Sequence, residues 1–343
     1  MIRVNLALQG GGAHGAFTWG VLDRLLDAPD IEVAAISGTS AGAMNAAAFK
    51  AGMIAGGRAG ARAELASLWE QVGAVTGPVW AAWLTALAPS VPALAQALRY
   101  SPAFAAVEAL ERSLSPYAFG PMLQNPLRRI VEGFRFEAVC ASAGPALFIG
   151  ATNVRSGKIK VFRGDEITPE AILASACLPT LFQAVEIEDP ATGRIEAYWD
   201  GGYTGNPALF PLFAPDLPDD IVVVNVNPLY RDALPYDTLA IQNRINEISF
   251  NASLLREMRA IHFVNRLLGE GVVARGAKKG VLLHMIADDA LMNDLNVATK
   301  TVAVPVILAR LRDAGFAAAD RFVRAHKGDL NQRSSVDMAA MFG

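Results

Sequence analysis

Leu6-Ala7-Leu8-Gln9-Gly10-Gly11-Gly12-Ala13-His14-Gly15 is an apolar run that breaks into three glycines and then resumes as an amphipathic segment. A second stretch, Ile36-Ser37-Gly38-Thr39-Ser40-Ala41-Gly42-Ala43-Met44, repeats the design with a serine at its turn. Each reads as a strand turning sharply into a helix, so two backbone turns with free N–H groups lie side by side. One of them carries a hydroxyl.

The surrounding chain continues the pattern. Residues 3–8 form a mostly apolar strand, as expected where helices cover both faces, and Phe17, Val21, Leu22 and Leu25 give Ala16 to Leu26 helical periodicity. Ile31 to Ile36 is the next strand, and Ala41 to Ala51 is a helix of small residues that must lie tightly on the sheet. Strands are expected again at Pro145 to Thr152, Lys158 to Phe162, Leu181 to Ile187, Ile195 to Trp199, Ile221 to Val226 and Val281 to Ile286. Between and after them lie a short helix capped by Thr168, a long helical region from Pro235 to Leu268 and another from Val302 to Ala325. This predicts one α/β domain over residues 1–326, a mainly parallel central sheet sandwiched by helices. Residues 327–343 are expected as a flexible tail.

From Arg58 to Asn125 the composition shifts to Ala, Pro and Trp. This stretch reads as a helical insertion. Its apolar residues, among them Trp69, Trp80, Trp83 and Leu87, suit either a lid over an apolar pocket or a helix resting on the core.

Composition narrows the function classes. The chain has 343 residues, 52% hydrophobic and 18% charged, with a formal net charge of −3, which argues for a large core and against disorder or nucleic-acid binding. Cys140 and Cys177 form neither a metal motif nor a disulfide framework, which favours a reducing compartment. The apolar start meets Gln9 and Gly10 before a secretory segment is complete, and no apolar run reaches the roughly 18 residues of a spanning helix. A cytoplasmic protein, peripheral at most on a membrane, is expected.

Gly38-Thr39-Ser40-Ala41-Gly42 has the spacing of a nucleophile elbow, in which a strained turn exposes the serine and its neighbours must be small. Taken alone it is equally a small-residue turn with a bystander serine. Gly10, Gly12 and Gly15 also satisfy the dinucleotide-binding fingerprint, but that fingerprint expects an acid about 20 positions on, at the end of the second strand. Here Asp30 and Glu32 sit at the wrong end of it. A Walker loop is excluded because no Gly-Lys-Ser/Thr follows the glycines. Of the four histidines, His14, His262, His284 and His326, none occupies the strand-end loop that a serine triad favours. The remaining base is Asp200, at the end of a strand and followed by Gly201-Gly202, although an ordinary Asp with a pKa of about 4 is a poor match for a serine hydroxyl and Asp-Gly-Gly can be a plain turn.

Taken together, Gly10-Gly11-Gly12-Ala13-His14-Gly15, Gly38-Thr39-Ser40-Ala41-Gly42, Ala174-Ser175 followed by Pro179, and Asp200-Gly201-Gly202 resemble the signature of patatin-like phospholipases. The resemblance covers residues 3–210 in outline. It implies a three-layer α/β fold, Ser40 as nucleophile, Asp200 as its base in a Ser-Asp dyad, and the glycine turn Gly10, Gly11 and Gly12 as oxyanion hole, chiefly through the amides of Gly11 and Gly12. Gly38 and Gly42 are then the elbow glycines. No metal or organic cofactor is implied, and the implied substrate is a lipid acyl ester such as a phospholipid or lysophospholipid, met in transient contact with a membrane surface. A non-lipid esterase, an intracellular polyester depolymerase or an acyltransferase would use the same dyad. From other classes, a nucleotide-binding oxidoreductase and a non-catalytic lipid-binding module compete. One departure stands out: His14 occupies a position where the family usually has Arg or Lys, which replaces a fixed charge by a titratable one. Oligomeric state is not legible.

Overall fold

The structure, a computed structural model, describes residues 1–76, 97, 115–118, 125–190, 192–274, 276–295 and 297–342. Strand β1 (Ile2–Leu8) passes through the glycine turn into α1 (Ala16–Leu26), and β2 (Ile31–Thr39) turns at Ser40 into α2 (Ala41–Thr76). After the short helices Arg128–Glu132 and Phe136–Val139 come β3 (Ala146–Asn153), β4 (Ile159–Arg163), α3 (Pro169–Ser175), β5 (Val185–Asp189) and β6 (Arg194–Asp200). The chain continues through β7 (Asp220–Val224), α4 (Thr238–Gly269), β8 (Leu282–Ile286), α5 (Val297–Thr301), α6 (Pro305–His326) and α7 (Met338–Phe342).

The sheet has eight strands in the order β5-β6-β3-β2-β1-β7-β8, with β4 added on β3. β3, β2, β1, β7 and β8 run parallel, while β4 and β6 are antiparallel to β3 and β5 is antiparallel to β6. Side chains alternate between two cores, as the two-residue repeat of a strand requires. Leu6, Leu8, Val222 and Val224 face α1, α2 and α6, whereas Ala7, Ile221 and Val223 meet Leu254, Met258 and Ile261 of α4. The expected architecture, a mainly parallel sheet sandwiched by helices, is the one observed.

Register along β3 positions the site. Gly150 of β3 pairs with Thr39, and the next residue, Ala151, pairs with Asp200. The strand therefore serves as a common ruler, bringing the ends of β2 and β6 to adjacent places although they lie far apart in the chain.

Of the two readings of the segment beginning at Arg58, the helix resting on the core holds as far as Thr76: α2 breaks at Gly56 and Gly57, then folds back so that Leu65, Leu68 and Trp69 are buried in the main core, and this part is no lid. The Trp69 indole donates to Asn45 Oδ1 at 2.9 Å, and Arg58 donates to the carbonyls of Leu25, Leu26 and Ile31. Trp80, Trp83 and Leu87 lie outside the described residues. Residues 327–342 are not a loose tail either. Asn331 N–H donates to both carboxylate oxygens of Asp220, Ser334 Oγ accepts from Leu283 N–H at 2.9 Å, and Met338 of α7 is buried in the α4-side core. Polar side chains fasten this segment, and they leave no periodic apolar signature.

Candidate active site

Ser40 sits at φ 54°, in the left-handed region that a non-glycine residue enters only where the surrounding fold holds it. Its carbonyl accepts from the N–H groups of Ala43 and Met44, which start α2 directly beneath it. A methyl group on Gly42 would lie 2.1 Å from the Leu8 carbonyl oxygen, so the elbow closes only with glycine there. Gly38 is similarly close to Gly42. The Ser40 N–H donates to Ser175 Oγ at 2.8 Å, and that hydroxyl donates to the Gly150 carbonyl at 2.6 Å. Ser175 thus locks the Ser40 backbone to β3 from the end of α3.

Asp200 ends β6 and is buried. Its carboxylate accepts from Gly202 N–H at 2.7 Å, and the Ser40 side chain is near enough to favour its ionised form. Burial pushes its pKa up to about 7, against which the Gly202 and Ser40 hydrogen bonds pull only in part. The same dry surroundings raise the Cys177 thiol and the Tyr203 phenol, each to about 12. The mismatch of an ordinary Asp with a serine hydroxyl is thereby reduced, because a base near neutrality is a far better proton acceptor at working pH.

The glycine turn lies against the elbow: a methyl group on Gly10 would come within 2.6 Å of Ser40 Cβ. Gly10 does not offer its N–H to a substrate, since it donates to Asn206 Oδ1 at 2.7 Å. That corrects its expected place in the oxyanion hole. The N–H groups of Gly11 and Gly12 have no acceptor among the described residues, and Gly12 is exposed. A cage of side-chain amides holds the turn. Gln9 Oε1 accepts from the backbone of Val226 and Asn227, its Nε2 donates to Asn251 Oδ1, and Asn227 Nδ2 donates to the Gly10 carbonyl at 2.7 Å. None of these asparagines is marked in the sequence, where Asn ordinarily reads as a loop residue; Ser175 was visible only as part of a motif.

His14 points away from the chemistry. It is buried, its Nε2 meets Thr299 Oγ1 at 2.8 Å, and its Nδ1 has no partner among the described residues. Burial, and secondarily the charge of Lys300, hold its pKa well below 6.5, so it is neutral rather than a titrating stand-in for a cation. The positive charge beside the turn comes instead from Lys300 of α5. Its Nζ lies 2.9 Å from Glu247 and 3.5 Å from Asn227 Oδ1. Glu247 is buried, which alone would raise its pKa, but Arg231 and Lys300 hold it down at about 2, and Arg244 adds a third cation.

The other histidines stand elsewhere. His284 Nε2 is 2.9 Å from Asp220 and its Nδ1 is 3.0 Å from Ser335 Oγ, a Ser-His-Asp contact far from Ser40 in the sheet. The N–H groups of Ser335 and Val336 are both bonded to the Leu283 carbonyl, so no amide pair awaits an oxyanion there, and the trio acts as a clamp on the C-terminal segment. Among the described residues no three His, Cys, Asp or Glu side chains converge as a metal ion would require. At the end of β2 the polar groups are Ser37 and Thr39, whose hydroxyls donate to the carbonyls of Ala208 and Gly205; no acid stands where a dinucleotide ribose would need one.

Fold and site define an α/β protein with a serine on a strained strand-to-helix turn, a buried aspartate beside it and a glycine turn alongside. The model of the patatin-like phospholipase family matches residues 6–213, and the chain belongs to that family, among lipid-hydrolysing enzymes. No curated protein matches the chain. Among solved structures, VipD from Legionella pneumophila is 16% identical with a TM-score of 0.42, over 95% of this chain and 67% of that one. ExoU, in the ExoU-SpcU complex of the Pseudomonas aeruginosa type III secretion system, is 16% identical with a TM-score of 0.31. That match covers 96% of this chain and about half, 52%, of the ExoU chain.

Proposed function

We propose that the protein hydrolyses carboxylic esters of phospholipids or lysophospholipids through an acyl-Ser40 intermediate. Ser40 Oγ attacks the acyl carbonyl while its proton passes to Asp200, and the N–H groups of Gly11 and Gly12 hold the oxyanion. The ester C–O bond breaks, and the leaving alcohol takes the proton back from Asp200. Water then gives a proton to Asp200 and attacks the acyl carbon, releasing the fatty acid and restoring Ser40. The N-terminus of α2 and the charge on Lys300 favour the negative charge that develops. The observation that carries this reading is the placement of Ser40, strained at φ 54°, beside a buried Asp200, the two brought together by consecutive residues of β3, with burial raising the Asp200 pKa to about 7. Family membership supports the lipid ester as substrate class.

The reading places the enzyme in the cytoplasm, in transient contact with a membrane surface, which the free thiols of Cys140 and Cys177 support. The test is a panel of acyl esters, from soluble short-chain esters to phospholipid and lysophospholipid, with Ser40→Ala as control. Fatty-acid release from the lipids that disappears in Ser40→Ala is expected. Hydrolysis confined to non-lipid esters, or undiminished in Ser40→Ala, would refute the reading.

A further inference from the structure

Helix α4 has two working faces. Inward, Phe250 packs its ring 5.1 Å from Tyr203, three residues beyond Asp200, and Asn251 joins the cage around the glycine turn. Outward, Ile241, Ile245 and Ile248 are 43%, 53% and 55% exposed. Their four-and-three spacing sets them on one stripe, and the loop leading into the helix adds Leu234 and Tyr236, 70% and 88% exposed. About five turns further along, the same stripe positions are Arg259, Phe263 and Arg266.

Between its caps, helix α4 keeps its acids off the outer face, while of its cations only Arg244 turns inward, to Glu247. Its only acids, Glu247 and Glu257, both point inward: the first is ion-paired to Arg231 and Lys300, and the second accepts from the N–H groups of Leu209 and Phe210. The cations Arg256 and Arg259 are exposed, and Arg266 shares its charge with Glu270 at 3.8 Å. The outer stripe is therefore apolar in its first half and basic in its second, its acids confined to the two ends: Asp237, which caps the helix through Ala240 N–H, and Glu270, paired to Arg266. A surface that is greasy and anionic at once matches both halves. A second copy of the chain does not: pairing along the stripe would set arginine against arginine or against isoleucine.

We propose that the outer stripe of α4 docks on an anionic lipid bilayer, with Ile241, Ile245 and Ile248 entering the interface and Arg256 and Arg259 meeting lipid phosphates. The choice of occupant rests on the lipid-ester reading of the site. Docked this way, the helix that borders Asp200 lies along the membrane from which the substrate comes.

The test is sedimentation of the Ser40→Ala protein with vesicles of phosphatidylcholine, with and without phosphatidylserine, so that binding is read without hydrolysis. The protein is expected to pellet with the phosphatidylserine vesicles, and less so as salt is raised. Adding Ile245→Glu and Ile248→Glu is expected to reduce the bound fraction about tenfold, and Arg256→Ser with Arg259→Ser to remove the preference for phosphatidylserine. In the enzyme with Ser40 intact, the same substitutions leave hydrolysis of a soluble short-chain ester at the parent level. Absence of vesicle binding, variants that bind like the parent, or soluble-ester hydrolysis falling in step with binding would overturn the proposal. So would an isoleucine variant that changes only gel-filtration elution, from dimer to monomer. Vesicle binding as predicted, with no Ser40-dependent ester hydrolysis, would sink the catalytic reading and leave the docking face standing.

Discussion

In the proposed mechanism Asp200 decides the chemistry, because its surroundings have two opposite consequences. Burial raises its pKa to about 7, so kcat/KM is expected to rise with pH through an acid limb near neutrality, where an ordinary Asp would place it about three units lower. His14→Gln is expected to keep that limb, since His14 is neutral and bonded to Thr299; its loss would make the histidine the base. The same shift affects stability. Below about pH 4 Asp200 carries its proton in both folded and unfolded chains and contributes nothing, whereas above pH 7 the fold must hold a buried carboxylate. Asp200→Asn should therefore abolish turnover yet stabilise the protein by on the order of 3 kcal/mol at about pH 8 and hardly at all at about pH 4, in denaturant titrations at the two pH values. Ser175→Ala leaves the Ser40 N–H and the Gly150 carbonyl without their partner, and kcat is expected to fall about tenfold or more with little change in KM. That Ser40 and Asp200 lie together was legible in the chain because motif spacing carries them; the raised pKa was not, because it arises from burial that no spacing encodes.

Among the elements, the glycine turn does less and depends on more than its sequence suggests. Three consecutive glycines read as three amides for an oxyanion, but the first is bonded to Asn206 and secures the turn to the loop after β6. Asn206→Ala leaves the Gly10 N–H buried without an acceptor, a loss of about 1–3 kcal/mol, and is expected to lower both melting temperature and kcat. The strands and the long helix α4 were visible as periodic apolar runs, and Thr168 as the cap of α3, which accepts from Ala171. The return of α2 on itself was not, because Gly56-Gly57 reads as an ending and the apolar residues beyond it look the same on a lid as on a core helix.

At the scale of the molecule, function depends on register. β3 brings Thr39 and Asp200 to consecutive positions, so the proposed dyad rests on two strand pairings that join distant parts of the chain. The α/β class was readable from alternating strands and helices, and the meeting of the three motifs from their chemistry; the ruler that aligns them was not, since pairing partners leave no mark in one sequence. The C-terminal segment belongs to this frame. Deleting residues 327–343 removes Met338 from the α4-side core and two N–H bonds from buried Asp220, and is expected to lower the melting temperature by on the order of 5 °C by differential scanning calorimetry. The central claim remains that Ser40 is a nucleophile made reactive by Asp200, and fluorophosphonate labelling followed by peptide mapping tests it most directly. A single adduct on Ser40 is predicted, forming faster as pH rises through about 7 and absent from Ser40→Ala. An adduct on another residue, such as Ser335 beside His284, or labelling of Ser40 that ignores pH, would contradict it.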